Sequence, residues 1–545
     1  MWDLAVKSFP YIRISVHLYI FLVLKFLKSN LFFFLLLTTT VFSLYGKSIN
    51  FDFTYHDDDG VILQKVDFLS HITNIPQLFL TSCYYSDDFK YYRPILNLSF
   101  LLETSIFGLN AKIYHSTNII LFILVLYLMY VFLSKLNINR TISKFLILLL
   151  SVHPILTSCV VWLPARNDTL LAIFIFLSFI FFADYLASHS KKYFILYVLF
   201  WTIALFTKET ALLILFLYPI FVVCFDYNFS KKEIYKHVLA FIPILVIYFY
   251  LRNISVQSVN VSFYFQNITS CLNNFITGVS TYLYKLLVPC NIPIMLYDIS
   301  LTINNIILDS LLLMMILFLC YKKILNIKIL LFSVIWFVCG LLATFLLQDY
   351  VYLNHRLIVS LFGIVMISVQ VIDKLIIKYA EIKKYMIFIF AILFLFCFFN
   401  SFILQKKYCN KYEYWFDACL DAPTYHGVYY CISHLYVEQQ NYIKAKEFLE
   451  KAMKLNGDIY ASDLALIHYR QGNMDKAEEL YKKSIDIGIN KAQCYRNLSV
   501  IYLKRDNDFN KAMEYAQLAV KEEPYDDEYK KYLEVLQNQI KNVKD

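Results

Sequence analysis

NLFFFLLLTTTVFSLYGKSINFDFTYHDDD, residues 30–59, is the stretch from which the rest of this chain can be read. Residues 30–46 carry no charge and approach the roughly 20 apolar residues that a bilayer-spanning helix needs. About ten residues after that run ends come His56-Asp57-Asp58-Asp59. Carboxylates set at the rim of the membrane are costly to keep there and by default mark a functional site. The same juxtaposition recurs along the chain. Tyr91-Tyr92-Arg93-Pro94, Arg166-Asn167-Asp168, Lys208-Glu209 and His355-Arg356 all lie at ends of apolar segments. If those segments cross the bilayer alternately, all five clusters emerge on one side.

The bulk composition agrees. Of 545 residues, 59% are hydrophobic and 18% aromatic, more apolar surface than a soluble domain of this size has use for. The net charge of +9 does not indicate nucleic-acid binding. Residues 405–545 hold 21 Lys/Arg against 22 Asp/Glu, so the basic excess belongs to the membrane part, where it sets orientation. The 12 Cys show neither CxxC nor Cys/His metal spacing, which argues against a structural zinc site. One disulfide among Cys409, Cys419 and Cys431 stays open. There is no GxGxxG, Walker-type loop or HExxH.

Eleven spans are expected, near 30–46, 117–134, 145–163, 169–187, 192–207, 210–225, 238–251, 304–320, 328–347, 356–373 and 385–404. Lys135/Arg140/Lys144, Lys191/Lys192, Lys231/Lys232/Lys236, Lys322/Lys323/Lys328 and Lys374/Lys378/Lys383/Lys384 then fill every second loop. The positive-inside rule makes those loops cytoplasmic and puts the C-terminal tail outside the cytoplasm. Residues 11–28, 95–107 and 272–290 are apolar but interrupted by charges or Asn, and read as interfacial or re-entrant helices. The first of them reads as a retained signal-anchor, since no small-residue cleavage site follows it.

Four regions follow: an interfacial segment 1–29, a transmembrane domain 30–404 with an outer loop 47–116, a linker 405–424, and helical repeats 425–540. The repeats show a period close to the tetratricopeptide spacing of about 34 residues. Ala445, Ala477 and Ala512 align, and seven residues later so do Ala452, Ser484 and Ala519. Small residues at such positions let antiparallel helices pack closely and stack into an array. A less specific amphipathic helical array is the alternative. The fold class is all-α: a polytopic membrane protein with a C-terminal solenoid.

Chemistry can be assigned to the clusters in more than one way. Asp57 and Asp58 suit a general base that takes a proton from an attacking hydroxyl. They equally suit a divalent cation, or an N-cap for the helix starting near Gly60. Asp59 and Asp87-Asp88 lie nearby. Arg93, next to tyrosines, suits a phosphate group, or snorkels to lipid headgroups. Arg166 is a second phosphate candidate, or pairs with Asp168. Lys208-Glu209 sits in a short outer turn and reads either as a mutually satisfied pair or as part of the site. His355 and Arg356 offer a hydrogen-bond donor and a cation to an anionic headgroup. His153-Pro154 reads as a buried histidine beside a kink.

The ordered series Phe53-x-x-x-x-Asp57-Asp58, Tyr92-Arg93-Pro94, Phe107-Gly108-Leu109-Asn110, Tyr114-His115-x-Thr117-Asn118, His153-Pro154, Arg166-Asn167-Asp168, Lys208-Glu209 and Asn354-His355-Arg356 resembles the membrane-embedded GT-C glycosyltransferases. The branch it is most similar to is that of the transmembrane and tetratricopeptide-repeat O-mannosyltransferase-like proteins and their bacterial relatives. The resemblance runs through most of residues 30–410, and the tail agrees in kind and placement. It implies a polyprenyl-phosphate sugar donor at the outer bilayer surface and in-line attack by an acceptor hydroxyl with inversion. An acidic pair in the first outer loop would supply the base, here Asp57 and Asp58, with Asp59 as a third candidate. Arg93, Arg166, His355 and Arg356 would hold the donor phosphate, supported by Asp168, Lys208 and Glu209. No organic cofactor is implied, and a divalent cation is left open. The tail would present a polypeptide acceptor. The expected location is a bacterial inner membrane with the tail outside the cytoplasm, or the endoplasmic reticulum with the tail lumenal. The competing functions are a membrane-anchored repeat scaffold for envelope proteins and a lipid-sugar flippase. A pure anchor needs none of the same-side charges, and a flippase calls for an internal duplication that the sequence lacks.

Overall fold

The computed structural model describes residues 29–83, 91–256, 268–297, 302–345, 353–379, 381–523 and 526–544. Residues 1–28 and the pair Asp87-Asp88 therefore lie outside the described residues. Every regular element among those described is helical, with no strand, as expected where backbone polar groups must be satisfied within the segment. Two compact units are formed: one from the residues up to Glu413, the other from Tyr414–Asp545 with Met295–Asp298.

Among the described residues of the first unit, seven helices are long and apolar enough to cross a membrane: Asn30–Asn50, Ala111–Lys135, Leu163–Ser188, Lys231–Ser255, Ile303–Tyr321, Asn354–Lys378 and Ile382–Tyr408. Each of the remaining expected spans is also helical, but shorter or broken. The helix expected over 145–163 bends by 63° between Arg140–Ser151 and Pro154–Val161. Pro154 cannot donate a backbone hydrogen bond and disfavours helical geometry at His153 before it. The stretch 210–225 is split into Ala211–Ile214 and Leu217–Cys224. Lys191–Thr207 has 17 residues. Pro94–Phe107, expected not to cross, has 14 residues. At 1.5 Å per residue it covers about 21 Å, short of the roughly 30 Å hydrocarbon core.

Local chemistry starts several of these helices. The side chains of Ser29, Asn110, Asn139, Ser230 and Thr302 each accept a first-turn backbone N–H, satisfying donors that have no intrahelical partner. The bundle interior is aromatic. Phe132 stacks on Phe362 at 4.8 Å, and Trp336 lies 4.8 Å from Phe179 and 4.9 Å from Phe362. Two glycines let helices Ile327–Phe345 and Leu357–Lys378 approach closely. A Cβ on Gly363 would stand 2.2 Å from the Ser333 carbonyl oxygen, and one on Gly340 would stand 2.3 Å from Ser360 Oγ. Close approach through small residues is how membrane helices gain packing energy without a hydrophobic driving force.

The second unit contains the antiparallel helix pairs His426–Glu438/Tyr442–Asn456, Ala461–Arg470/Met474–Asp486 and Lys491–Asp506/Phe509–Glu522, followed by Asp527–Lys544. The aligned small residues Ala445, Ala452, Ala477, Ser484, Ala512 and Ala519 are all buried to within 1%. They sit where paired helices touch, as their spacing implied. Enlarging Ala477 to Leu is expected to cost about 1–3 kcal/mol by overpacking. The check is limited proteolysis of the full chain, in which the tail should be cut faster; an unchanged rate would mean that these helices do not interlock. Cys409 and Cys419 are each free, so no disulfide joins any two of Cys409, Cys419 and Cys431.

Candidate functional site

The first outer loop is shaped by Asp58. Its carboxylate accepts from Thr54 N at 2.6 Å, Thr54 Oγ1 at 2.8 Å and His56 N at 2.9 Å, and the residue is 0% exposed. Those two backbone donations hold Tyr55 at φ +55°, a left-handed conformation a bulky residue seldom adopts. Burial pushes the Asp58 carboxyl up from its ordinary value, against the three donors and His56 pulling it down. Asp57 and Asp59 point elsewhere. Asp59 accepts from Gln64 Nε2 at 2.7 Å. Asp57 keeps 34% of its side chain exposed and lies 3.9 Å from His56 Nε2.

Arg93 precedes Pro94, which begins the short helix Pro94–Phe107. Its guanidinium stacks over Tyr91 at 4.3 Å and donates to Glu209 Oε1 at 2.8 Å and Oε2 at 3.4 Å. With its amide oxygen turned toward Arg93, Asn167 accepts from Nη1 at 2.9 Å and donates to the Thr207 carbonyl at 3.1 Å. Lys208 donates to both Asp168 oxygens, at 2.7 and 2.8 Å. His355 Nε2 stands 3.5 Å from the same carboxylate, and its Nδ1 has no partner among the described residues. Neither local pairing considered from the sequence forms: Arg166 does not pair with Asp168, nor Lys208 with Glu209. Instead each partner reaches across to another helix.

Arg166 faces the opposite way from its two neighbours. It is 0% exposed and donates to Asn118 Oδ1 at 2.8 Å, Glu103 Oε2 at 2.8 Å, Ser99 Oγ at 3.4 Å and the Tyr114 carbonyl at 2.9 Å. All three guanidinium nitrogens are thereby engaged within the fold. One helix start thus serves two regions. Arg166 ties helices together, while Asn167 and Asp168 meet Arg93, Lys208 and His355.

The cluster is completed electrostatically. Asp57 acts on His355 and on Cys83, and Cys83 also feels Arg93 and Glu209. Arg356 acts on both Asp168 and Lys208. Three carboxylates (Asp57, Asp168, Glu209) and three strong bases (Arg93, Lys208, Arg356), drawn from five separate segments, thus lie within electrostatic reach of the same group of residues. Burial lowers the Lys208 ammonium to about 8, with Arg93 and Arg356 pushing the same way and Asp168 opposing. Among the described residues, no group of three or more His, Cys, Asp or Glu side chains is placed to hold a metal ion. Asp58 is buried and turned into its own loop, away from Asp57 and Asp59.

Thr54, Glu103 and Trp162 were given no role from sequence, and Asn118 and Asn167 were named only within longer motifs. Trp162 immediately precedes the Leu163–Arg166 turn. It is 2% exposed, its Nε1 donates to Thr54 Oγ1 at 3.2 Å, and its ring stacks on His56 at 5.4 Å and contacts His355 at 5.0 Å. A lone tryptophan at the rim of an apolar segment reads as an interface anchor, which hid its role.

Two models described as tetratricopeptide repeat match residues 426–459 and 458–521. The tail carries tetratricopeptide repeats. The chain is also similar to the protein O-mannosyl-transferase TMTC1 of Mus musculus, 30% identical over 206 residues, covering 34% of this chain and 20% of that protein. Against the Homo sapiens protein of the same name it is 31% identical over 206 residues, covering 34% and 22%. The chain thus spans about a fifth of the length of these curated relatives. A helical membrane chain with this repeat tail and this similarity resembles the transmembrane and tetratricopeptide-repeat O-mannosyltransferases.

Proposed function

We propose that this chain is a membrane glycosyltransferase that moves a sugar from a polyprenyl-phosphate donor to an acceptor hydroxyl on the extracytoplasmic side. The observation that carries the reading is the convergence of Asp57, Arg93, Asp168, Lys208-Glu209 and His355-Arg356 into one cluster. Asp58 is buried and Asp59 accepts from Gln64, which leaves Asp57, one-third exposed, as the carboxylate of the acidic run to act as base. Asp57 takes the proton from the acceptor hydroxyl as that oxygen attacks the anomeric carbon. The bond from that carbon to the phosphate oxygen breaks, and the electron pair leaves with the polyprenyl phosphate. Arg93, His355 and Arg356 hold the phosphate, with Lys208 beside them, stabilising charge where it develops. Attack opposite the leaving group inverts the anomeric centre. Arg166, counted with the phosphate ligands on sequence grounds, is a structural residue in this reading. The tail presents a polypeptide, so Ser and Thr are the acceptors, and mannose is the first sugar to test given the relatives' names.

The test is transfer in proteoliposomes from radiolabelled polyprenyl-phosphate mannose to a Ser/Thr-rich polypeptide. Label in the polypeptide is the expected result. No transfer from any polyprenyl-phosphate hexose, together with rescue of a deletion strain by the tail on an unrelated anchor, would establish the scaffold instead.

Donor use should depend on pH. Lys208, at about 8, passes from about 90% to about 10% protonated between pH 7 and 9. Losing that cation leaves Asp168 unneutralised beside the phosphate, so donor kcat/KM should fall about tenfold across the interval. Lys208→Arg should move the decline to higher pH, because guanidinium keeps its proton. A flat profile in both proteins would remove Lys208 from the phosphate site.

A further inference from the structure

A continuous hydrogen-bonded frame runs behind the cluster, and Trp162 is its joint. At one end Glu103 pairs with Arg166 at 2.8 Å, and Arg166 Nε donates to Asn118 Oδ1 at 2.8 Å. Asn118 Nδ2 in turn donates to the Trp162 carbonyl at 3.3 Å. At the other end Trp162 Nε1 donates to Thr54 Oγ1 at 3.2 Å, and that hydroxyl donates to Asp58 Oδ1 at 2.8 Å. The donor and acceptor roles are consistent at every link: indole has only a proton to give, and the threonine hydroxyl accepts it while passing its own to a carboxylate. The Trp162 backbone is fixed on both sides, its N–H donating to Ser158 O at 3.2 Å and its carbonyl accepting from Ala165 N at 3.2 Å. Its ring stacks on His56, the residue that precedes Asp57, and lies tilted against His355 at 5.0 Å.

We infer that Trp162 is a positioning residue that fixes the Asp57 carboxylate against the cationic side of the cluster by clamping residues 54–58. The inference rests on the glycosyltransferase reading for its kinetic consequence, but the clamp itself is independent of it. A base must sit within hydrogen-bond reach of the acceptor proton, and a misplacement of about 1 Å costs on the order of 10²-fold in rate. The loop has no regular secondary structure to hold it until Asp57–Val61 begins, so the hydrogen bonds of Asp58 and Trp162 to Thr54 add to the packing of Phe53 in fixing its position. Asp58 and Arg166, both marked by the sequence as candidates for chemistry, become the two ends of one support. The phosphate-binding side, Arg93 with Glu209 and Asn167, makes no hydrogen bond to this frame among the described residues.

Trp162→Phe keeps a stacked ring and removes the indole proton; Thr54→Val removes the hydroxyl that receives it. In the full chain, each is expected to lower kcat about tenfold, roughly the loss of one well-placed hydrogen bond. KM for the lipid donor should stay within about twofold, and the double variant should be no slower than either single one, because both cut the same link. Hydrogen exchange of the peptide covering residues 54–61 gives a second readout: the amides of Thr54 and His56, held by Asp58, should exchange faster in Trp162→Phe. An unchanged kcat, a rise in donor KM alone, or multiplying losses in the double variant would overturn the assignment, as would unaltered exchange. If the wild type transfers no sugar, the enzymatic reading fails, and exchange alone then decides whether the clamp exists.

Discussion

Asp57→Asn should lower turnover by about 10²–10⁴-fold, the usual worth of a positioned general base, while leaving the protein folded. The substitution is nearly isosteric and touches a side chain that is one-third exposed and accepts no hydrogen bond among the described residues. Asp58→Asn should behave differently. Its carboxylate accepts three hydrogen bonds inside a fully buried turn, and an amide can accept only on its oxygen. One donor then faces an NH₂ group, an unsatisfied contact costing about 1–3 kcal/mol. Asp58→Asn is therefore expected to lower the unfolding temperature in detergent, and to slow transfer only through the displaced loop. Asp59→Asn should change neither. Transfer assays and thermal unfolding on the three variants separate the roles. Should Asp57→Asn keep wild-type turnover while Asp58→Asn loses all of it with its stability intact, the base is Asp58 and the reading of this loop is inverted.

Fold class was legible because the physics that sets it is one-dimensional. A bilayer demands about 20 apolar residues per crossing, and the repeat tail shows its contacts as small residues at a fixed period. Counting crossings is harder, because apolarity does not reveal where a helix breaks. His153-Pro154 announces its 63° bend through proline chemistry, and Pro219, which has no N–H to give the Leu215 carbonyl four residues back, marks the break between Ile214 and Leu217 in the same way. The charged clusters were legible as a group because each lies at an end of an apolar segment. Their partners were not. Adjacent opposite charges invite local pairing, whereas the extended backbone of Lys208, between two helices, sends Lys208 toward Asp168 and Glu209 toward Arg93. Arg166, Asn167 and Asp168 occupy the first turn of one helix, about 100° apart in succession. Their side chains must diverge, so a contiguous motif cannot serve one ligand as a block.

That divergence leads to the largest stability effect expected. Arg166→Met should destabilise the membrane unit by about 3–5 kcal/mol, because removing one member of a buried ion pair strands the other. Here the stranded group is Glu103, only 12% exposed on a helix too short to cross the bilayer. The same change frees Asn118 Oδ1 and the Tyr114 carbonyl, both of which accept from this guanidinium. Cys83, Cys159, Cys224 and Cys397 are free and buried, so a thiol-reactive fluorophore added during a temperature ramp reports unfolding without an activity assay. The Arg166→Met transition should come well below wild type, and adding Glu103→Gln should recover part of the loss by removing the unpaired charge. Arg93→Met gives the contrast. Arg93 is 13% exposed and faces the 37% exposed Glu209, so water can solvate what is left, and the main loss should appear in donor KM. If instead Arg166→Met unfolds at the wild-type temperature and raises donor KM, Arg166 faces the phosphate after all. The short helix Pro94–Phe107 would then need some other tie to the bundle.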